Sequence, residues 1–162
     1  TSIVIEDKIV YTKFLNKQTI IGYQIKVSDE DFPTLIIEPE SLEPTHTIFT
    51  YGGMLDEVLD SLSNLFNEEF FPRIICPTRI CPLNISPLVD SLKTTKELLF
   101  IEEGSKNGSL SSEIIAYLNE ENILFKLFGR ISNEGIIPCS KTAEFKAVPN
   151  KNLIIDNILN KL

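Results

Sequence analysis

Residues 98–101 are four apolar side chains in succession, Leu98, Leu99, Phe100 and Ile101, and they are followed at once by Glu102, Glu103 and Gly104. A short apolar run bounded by charge reads as a strand buried on both faces, the kind that occupies the middle of a parallel sheet covered by helices. Gly104 then provides a turn, with a positive φ expected there, and Gly108 followed by Ser109 opens a helical pattern. In open α/β sheets the carboxyl end of a central strand is where ligands, partners and domain contacts gather. Glu102, Glu103, Gly104, Ser105, Gly108 and Ser109 therefore form the candidate interface or ligand turn.

Around that strand the chain alternates. Residues 47–51 read as a strand, Gly52 and Gly53 as a tight turn, and residues 54–68 as a helix. That helix carries Met54, Leu55, Val58, Leu59, Leu62, Leu65 and Phe66 on one face and acidic residues and asparagines on the other. A strand follows at 73–76. Asn84 or Ser86 then caps a short helix to Lys93, with Pro87 tolerated in its first turn. Beyond the central strand come a helix over 109–119 and a strand over 124–128. Residues 138–149 read as irregular, and Asn150 caps a terminal helix bearing Leu153, Ile154, Ile158 and Leu159. This order predicts a three-layer α/β/α domain with a mostly parallel five-stranded sheet. Residues 35–37, enclosed by Pro33 and Pro39, read as its antiparallel edge strand. Upstream, residues 2–11 read as a strand with nothing after it to complete a sheet, and residues 12–33 as a linker holding a short strand within 19–27. The division is thus 1–33 and 34–162.

Charge and cysteine usage exclude several classes. A net charge of −8 over 162 residues argues against nucleic acid as a partner, since phosphates require clustered Lys and Arg. No apolar run approaches a membrane span, and no basic stretch followed by an apolar one opens the chain. Three cysteines without CxxC spacing and a single His46 make a structural zinc set implausible. The expectation is a reduced, cytoplasmic protein. Because the chain begins with Thr1 inside an apolar run, it also reads as a piece of something longer.

The residues that might carry chemistry each have a plainer role. Gly52 and Gly53 lack the GxGxxG spacing and read as a turn that lets helix pack on strand. Glu102 and Glu103 are adjacent on a strand, so they point to opposite sides and do not form an acid and base pair. They read as a charged strand end facing solvent or a neighbouring domain. His46 has no Ser or Asp partner at a recognisable spacing and reads as a surface or turn residue. Cys76 and Cys81 read as core fillers. Ser105, Lys106 and Asn107, near a helix start, carry a weak signal for a small-anion regulatory site. No residue reads as catalytic, cofactor-binding or metal-ligating.

The order of motifs resembles the C-terminal domain of transketolase-like thiamine diphosphate enzymes. It is most similar to that of the beta subunit of the decarboxylating component of 2-oxo acid dehydrogenase complexes, the pyruvate and branched-chain group. The matching pieces are THTIFTYGGM, FPRIICPTRICPLN, SLKTTKELLFIEEG, GSLSSEIIAYL and IPCSKTAEFKAVPNKNLIIDNI. Together they run from Pro33 to the C-terminus. Departures are Cys76, Pro77 and Cys81, where the family favours apolar or acidic residues, Asn84 in place of Asp, and Phe145 after Glu144. The resemblance implies that residues 2–11 close a preceding pyrimidine-binding domain. It implies too that thiamine diphosphate, magnesium and the catalytic histidines belong to domains upstream. The implied partners are those thiamine-binding domains or an alpha subunit, a second beta-type subunit, and the acyltransferase core. The implied role is assembly, without catalysis by this domain. A ketol transferase of transketolase type is the alternative parent.

Overall fold

The structure, a computed structural model, describes residues 3–5 and 20–162. A sheet of six strands runs through it in the order β1-β2-β4-β3-β5-β6. In chain order the elements are β1 (Tyr23–Val27), β2 (Thr34–Pro39), β3 (His46–Thr50), α1 (Met54–Asn67), β4 (Pro72–Pro77) and α2 (Ser86–Thr95). Then come β5 (Glu97–Ser105), α3 (Leu110–Glu120), β6 (Lys126–Asn133), α4 (Lys141–Ala147) and α5 (Lys151–Leu159). Strands β4, β3, β5 and β6 are parallel, whereas β2 runs antiparallel to both β4 and β1.

Strict alternation on the middle strands builds two cores. Ile48 on β3, Ile74 on β4, and Leu99 and Ile101 on β5 meet Val58, Leu62 and Leu65 of α1 and Ile154 and Ile158 of α5. On the other face Phe49, Ile75, Leu98 and Phe100 meet Leu88 and Leu92 of α2 and Ile114 and Leu118 of α3. Fully burying a side chain of this size contributes roughly 1.5–3 kcal/mol each, so β5, buried on both faces from Leu98 to Ile101, holds the layers together.

Local chemistry sets the element ends. Gly52 takes φ +60 in the turn before α1. Asp56 and Glu57 place negative charge in that helix's first turn, where the dipole favours it. Glu57 also accepts the backbone N–H of Lys151 at 2.8 Å and so ties the start of α5 to α1. α2 carries Pro87 in its first turn, Asn84 Oδ1 accepts from Ser86 N–H at 3.1 Å, and Lys96 in the left-handed region ends it. At Thr47 the contact of β3 with α2 is polar. Thr47 Oγ1 lies 2.6 Å from Ser91 Oγ and 2.7 Å from Thr95 Oγ1, a fully enclosed hydroxyl cluster in which each group has a partner.

Several expectations are corrected. Among the described residues the sheet has six strands instead of five, because β1 pairs along β2. The strand around residues 35–37 is antiparallel as expected but internal; among the described residues β1 lies outside it. The last strand is Lys126–Asn133, not 124–128: Leu124 is 89% exposed, and the strand's buried positions are Gly129, Ile131 and Asn133. Residues 138–149 contain the helix α4, capped by Ser140, whose hydroxyl accepts from Ala143 N–H. The strand expected over residues 2–11 lies outside the described residues apart from 3–5, which are exposed. Cys76 is buried as expected, but Cys81 is exposed.

Gly104 does not make the turn. β5 continues through it to Ser105, and the positive φ, +66, is at Gly108. A β-branched residue is strained at that angle. Gly108→Val should therefore destabilise the domain by more than about 1 kcal/mol, and Gly104→Val by clearly less. Urea unfolding of the two variants side by side checks this ordering.

Candidate functional site

The candidate turn is built at the carboxyl ends of β5 and β6. Phe100 pairs with Arg130 in the parallel ladder, so Glu102, two residues on, shares the α3 face with Arg130. Glu102 is 1% exposed. One of its oxygens, Oε1, accepts from Ser111 N–H at 3.1 Å and from the Tyr51 hydroxyl at 3.3 Å. The carboxylate thus sits at the N-terminus of α3, where backbone N–H groups and the helix dipole favour negative charge. Its Oε2 is buried with no hydrogen-bond partner among the described residues. Glu103 is exposed, as adjacency on a strand requires.

Arg130 holds the same helix start from the other side. Its Nε donates to Ser111 Oγ at 2.9 Å, and its Nη2 to Ser109 Oγ at 2.7 Å, Ser112 Oγ at 3.0 Å and the Lys106 carbonyl. Ser109 caps α3 by accepting from Ser112 N–H. The Asn133 carbonyl accepts from Lys106 N–H, and Lys106 Nζ pairs with Glu134. Of the expected turn residues, Glu102 and Ser109 both meet the start of α3, but Glu102 faces inward and not toward solvent. The positive charge an anion would need is spent on the serines and on a carbonyl. Sequence reading missed Arg130 and Tyr51, each separated from the turn by more than twenty residues of chain.

Tyr51 is pushed up to about 12, first by burial and then by the charge of Glu102 beside it, with Glu103 adding to the effect. Glu102→Gln removes one of those charges, so the Tyr51 ionisation midpoint should fall in a spectrophotometric titration. Arg130→Met removes the four hydrogen bonds that the guanidinium gives to the start of α3 and should cost about 1–3 kcal/mol in urea unfolding. A loss within experimental error would show that the clamp does not fasten α3.

His46 opens β3 instead of lying in a turn. Its ring stacks on Phe70 at 4.2 Å and meets Phe128 edge-on at 4.7 Å. Phe71 N–H donates to Thr45 Oγ1, which leaves that hydroxyl to donate to His46 Nδ1 at 2.9 Å. Nε2 then carries the proton and donates to Glu97 Oε2 at 3.3 Å. Burial lowers the His46 pKa below 6.5, against the opposing pull of Glu97. The unfolded chain therefore binds the proton more readily than the folded one, and stability is lost as pH falls from 6.5 through the lowered value. His46→Gln should flatten that part of the melting temperature against pH curve.

Among the described residues no group of three or more His, Cys, Asp or Glu side chains converges as a metal site, and no helix is long and apolar enough to cross a membrane.

An α/β domain with this strand order, its antiparallel pair appended to four parallel strands, is defined by more than geometry. Residues 37–153 match the transketolase C-terminal domain family, and the chain belongs to it. It is 31% identical over 117 residues to the pyruvate dehydrogenase E1 component subunit beta of Porphyra purpurea, covering 70% of this chain and 35% of that one. It is 29% identical over 97 residues to the chloroplastic pyruvate dehydrogenase E1 component subunit beta-2 of Arabidopsis thaliana, covering 59% of this chain and 24% of that protein. The chain thus spans about a third or less of the curated relatives it matches. A split-gene transketolase solved as an inactive beta4 tetramer superposes with a TM-score of 0.63 over 75% of this chain and 40% of the other, at 20% identity, which shows the shared fold.

Proposed function

We propose that this chain is the C-terminal assembly domain of a thiamine diphosphate-dependent 2-oxo acid dehydrogenase component. In this reading the parent enzyme decarboxylates a 2-oxo acid and passes the acyl group to lipoyl groups, and this domain takes no part in the chemistry. The observation that carries the reading is the family match over 37–153, with pyruvate dehydrogenase E1 beta subunits among its relatives. The geometry supports it. Glu102 and Arg130, the charged pair at the strand ends where a ligand site would be expected, are turned inward to hold α3.

Thiamine diphosphate and magnesium belong, in this proposal, to upstream domains, with residues 1–33 forming the end of a pyrimidine-binding domain and a linker. The partners are those domains or an alpha subunit, a second beta-type subunit, and the acyltransferase core. The exposed end of the turn, Glu103 to Ser105, is the part that meets a neighbour. Three free cysteines support a reducing, cytoplasmic setting.

Two measurements test the proposal. Isothermal titration of this chain with thiamine diphosphate and magnesium should show no binding tighter than about 10 μM. The polypeptide extended through its upstream domains should decarboxylate pyruvate or a branched-chain 2-oxo acid, and removal of residues 34–162 from it should abolish that activity by breaking assembly. Tight cofactor binding by this chain, or full activity after the removal, would overturn the assembly role.

A further inference from the structure

The loop that joins β5 to α3 contains a residue pair that occurs once in the chain, Asn107 followed by Gly108. The other asparagines precede Leu, Ile, Glu or Lys. An asparagine side chain can close on the backbone nitrogen of the next residue, and a side chain on that residue obstructs the approach. Glycine has none. Asn107 and Gly108 are both exposed and lie in a turn, with Gly108 at φ +66. Elsewhere the asparagine amides are engaged. Asn84 Nδ2 donates to Glu30 Oε1 at 3.0 Å, and Asn119 and Asn157 donate to carbonyls four residues back. Asn133 binds Gly135 through both ends of its amide, and Asn150 caps α5.

Both ends of this loop are fixed. Lys106 N–H donates to the Asn133 carbonyl at 3.0 Å. Arg130 Nη2 holds the Lys106 carbonyl and, at 2.7 Å, Ser109 Oγ. Ser109 in turn accepts from Ser112 N–H and so caps α3. One guanidinium therefore sets the distance from Lys106 to Ser109, and Asn107 and Gly108 have to span it.

We propose that Asn107 is a self-modification site, at which the Gly108 nitrogen attacks Asn107 Cγ and the side-chain amide becomes an acid. The N–Cγ bond forms as the Cγ–Nδ2 bond breaks, and the Gly108 amide proton leaves with Nδ2 as ammonia. Water, the one co-reactant, then opens the cyclic imide. Opening at Cγ gives aspartate. Opening at the main-chain carbonyl gives isoaspartate, in which the chain runs through Cγ. The two products act differently on α3. Aspartate places a negative charge near the helix N-terminus, where the dipole favours it, and keeps the length of chain between Lys106 and Ser109. Isoaspartate adds a backbone carbon to that length. Arg130 then no longer holds the Lys106 carbonyl and Ser109 Oγ in one geometry, and the first turn of α3 loosens. The site is thus a slow, one-way release of the clamp. It rests on the loop alone and does not depend on the chemistry of the parent enzyme.

Ageing this chain in neutral and in mildly alkaline buffer, followed by peptide mapping with mass spectrometry, tests the proposal. Asn107 should convert first, roughly tenfold or more faster than any other asparagine. The alkaline sample should lead, since the attacking nitrogen has to lose its proton. Isoaspartate is read by a labelled methyl group, transferred from S-adenosylmethionine by an isoaspartyl methyltransferase. Asn107→Gln lengthens the side chain and so disfavours ring closure; it should abolish the label and leave melting as in the wild type, because Asn107 is exposed. Hydrogen exchange at Ser112 N–H should quicken as isoaspartate accumulates, whereas Asn107→Asp should exchange there like the unaged chain. An Asn107 that stays intact while other asparagines convert would overturn the site. Isoaspartate at 107 with Ser112 protection unchanged would overturn the release of α3.

Discussion

The burial of β5 on both faces is the constraint from which the rest of the architecture follows. Leu99 and Ile101 must be covered from one side and Leu98 and Phe100 from the other, so helices are required above and below the sheet. Parallel neighbours then require crossovers, and α1, α2 and α3 supply them. At the carboxyl end of this strand the apolar run gives way to a carboxylate that is also buried, and a buried charge needs partners. Glu102 finds them in the α3 N-terminus and the Tyr51 hydroxyl, and Arg130 grips the serines of the same helix turn. Position and polarity at this end of the sheet are therefore linked: the helix that covers the strand is oriented by the charge that ends it.

Much of this was legible in the chain, for identifiable reasons. The run 98–101, the periodicity of α1 and the Asn150 cap each carry a strong local signal, and the structure has them where expected. The candidate turn was legible as a place but not as an orientation. Whether a glutamate at a strand end faces water depends on Arg130 and Tyr51, which only the folded sheet brings near. Gly104 shows the same limit. The turn was expected at Gly104, but the glycine that takes the left-handed conformation is Gly108, which ends the loop before Ser109. β6 was misplaced because its covered positions include Gly129 and Asn133, residues an apolar pattern passes over. α4 was missed because seven residues are too few to show a period.

The antiparallel pair β1 and β2 sets this chain apart from a plain crossover sheet. It moves the edge outward from β4 and shields Ile37 and Ile74 beneath α1. The ion pairs of Glu38 with Lys26 and Arg73 fasten strands β1, β2 and β4 across one face of the sheet. A polar fastening on one face and the packing of Tyr23 on the other hold β1 to the rest of the sheet.

The contact between Glu57 and the backbone of Lys151 spans 94 residues of chain and joins the first helix to the last. Ile154 and Ile158, both fully enclosed, complete the core beneath α1 that Ile48, Ile74 and Leu99 begin. A nascent chain on the ribosome therefore holds an uncovered oily surface until its final turn of helix has left the exit tunnel. The core under α2 and α3 draws its enclosing helices from residues 86–120 and can close earlier, so biosynthesis separates the two halves of the domain in time.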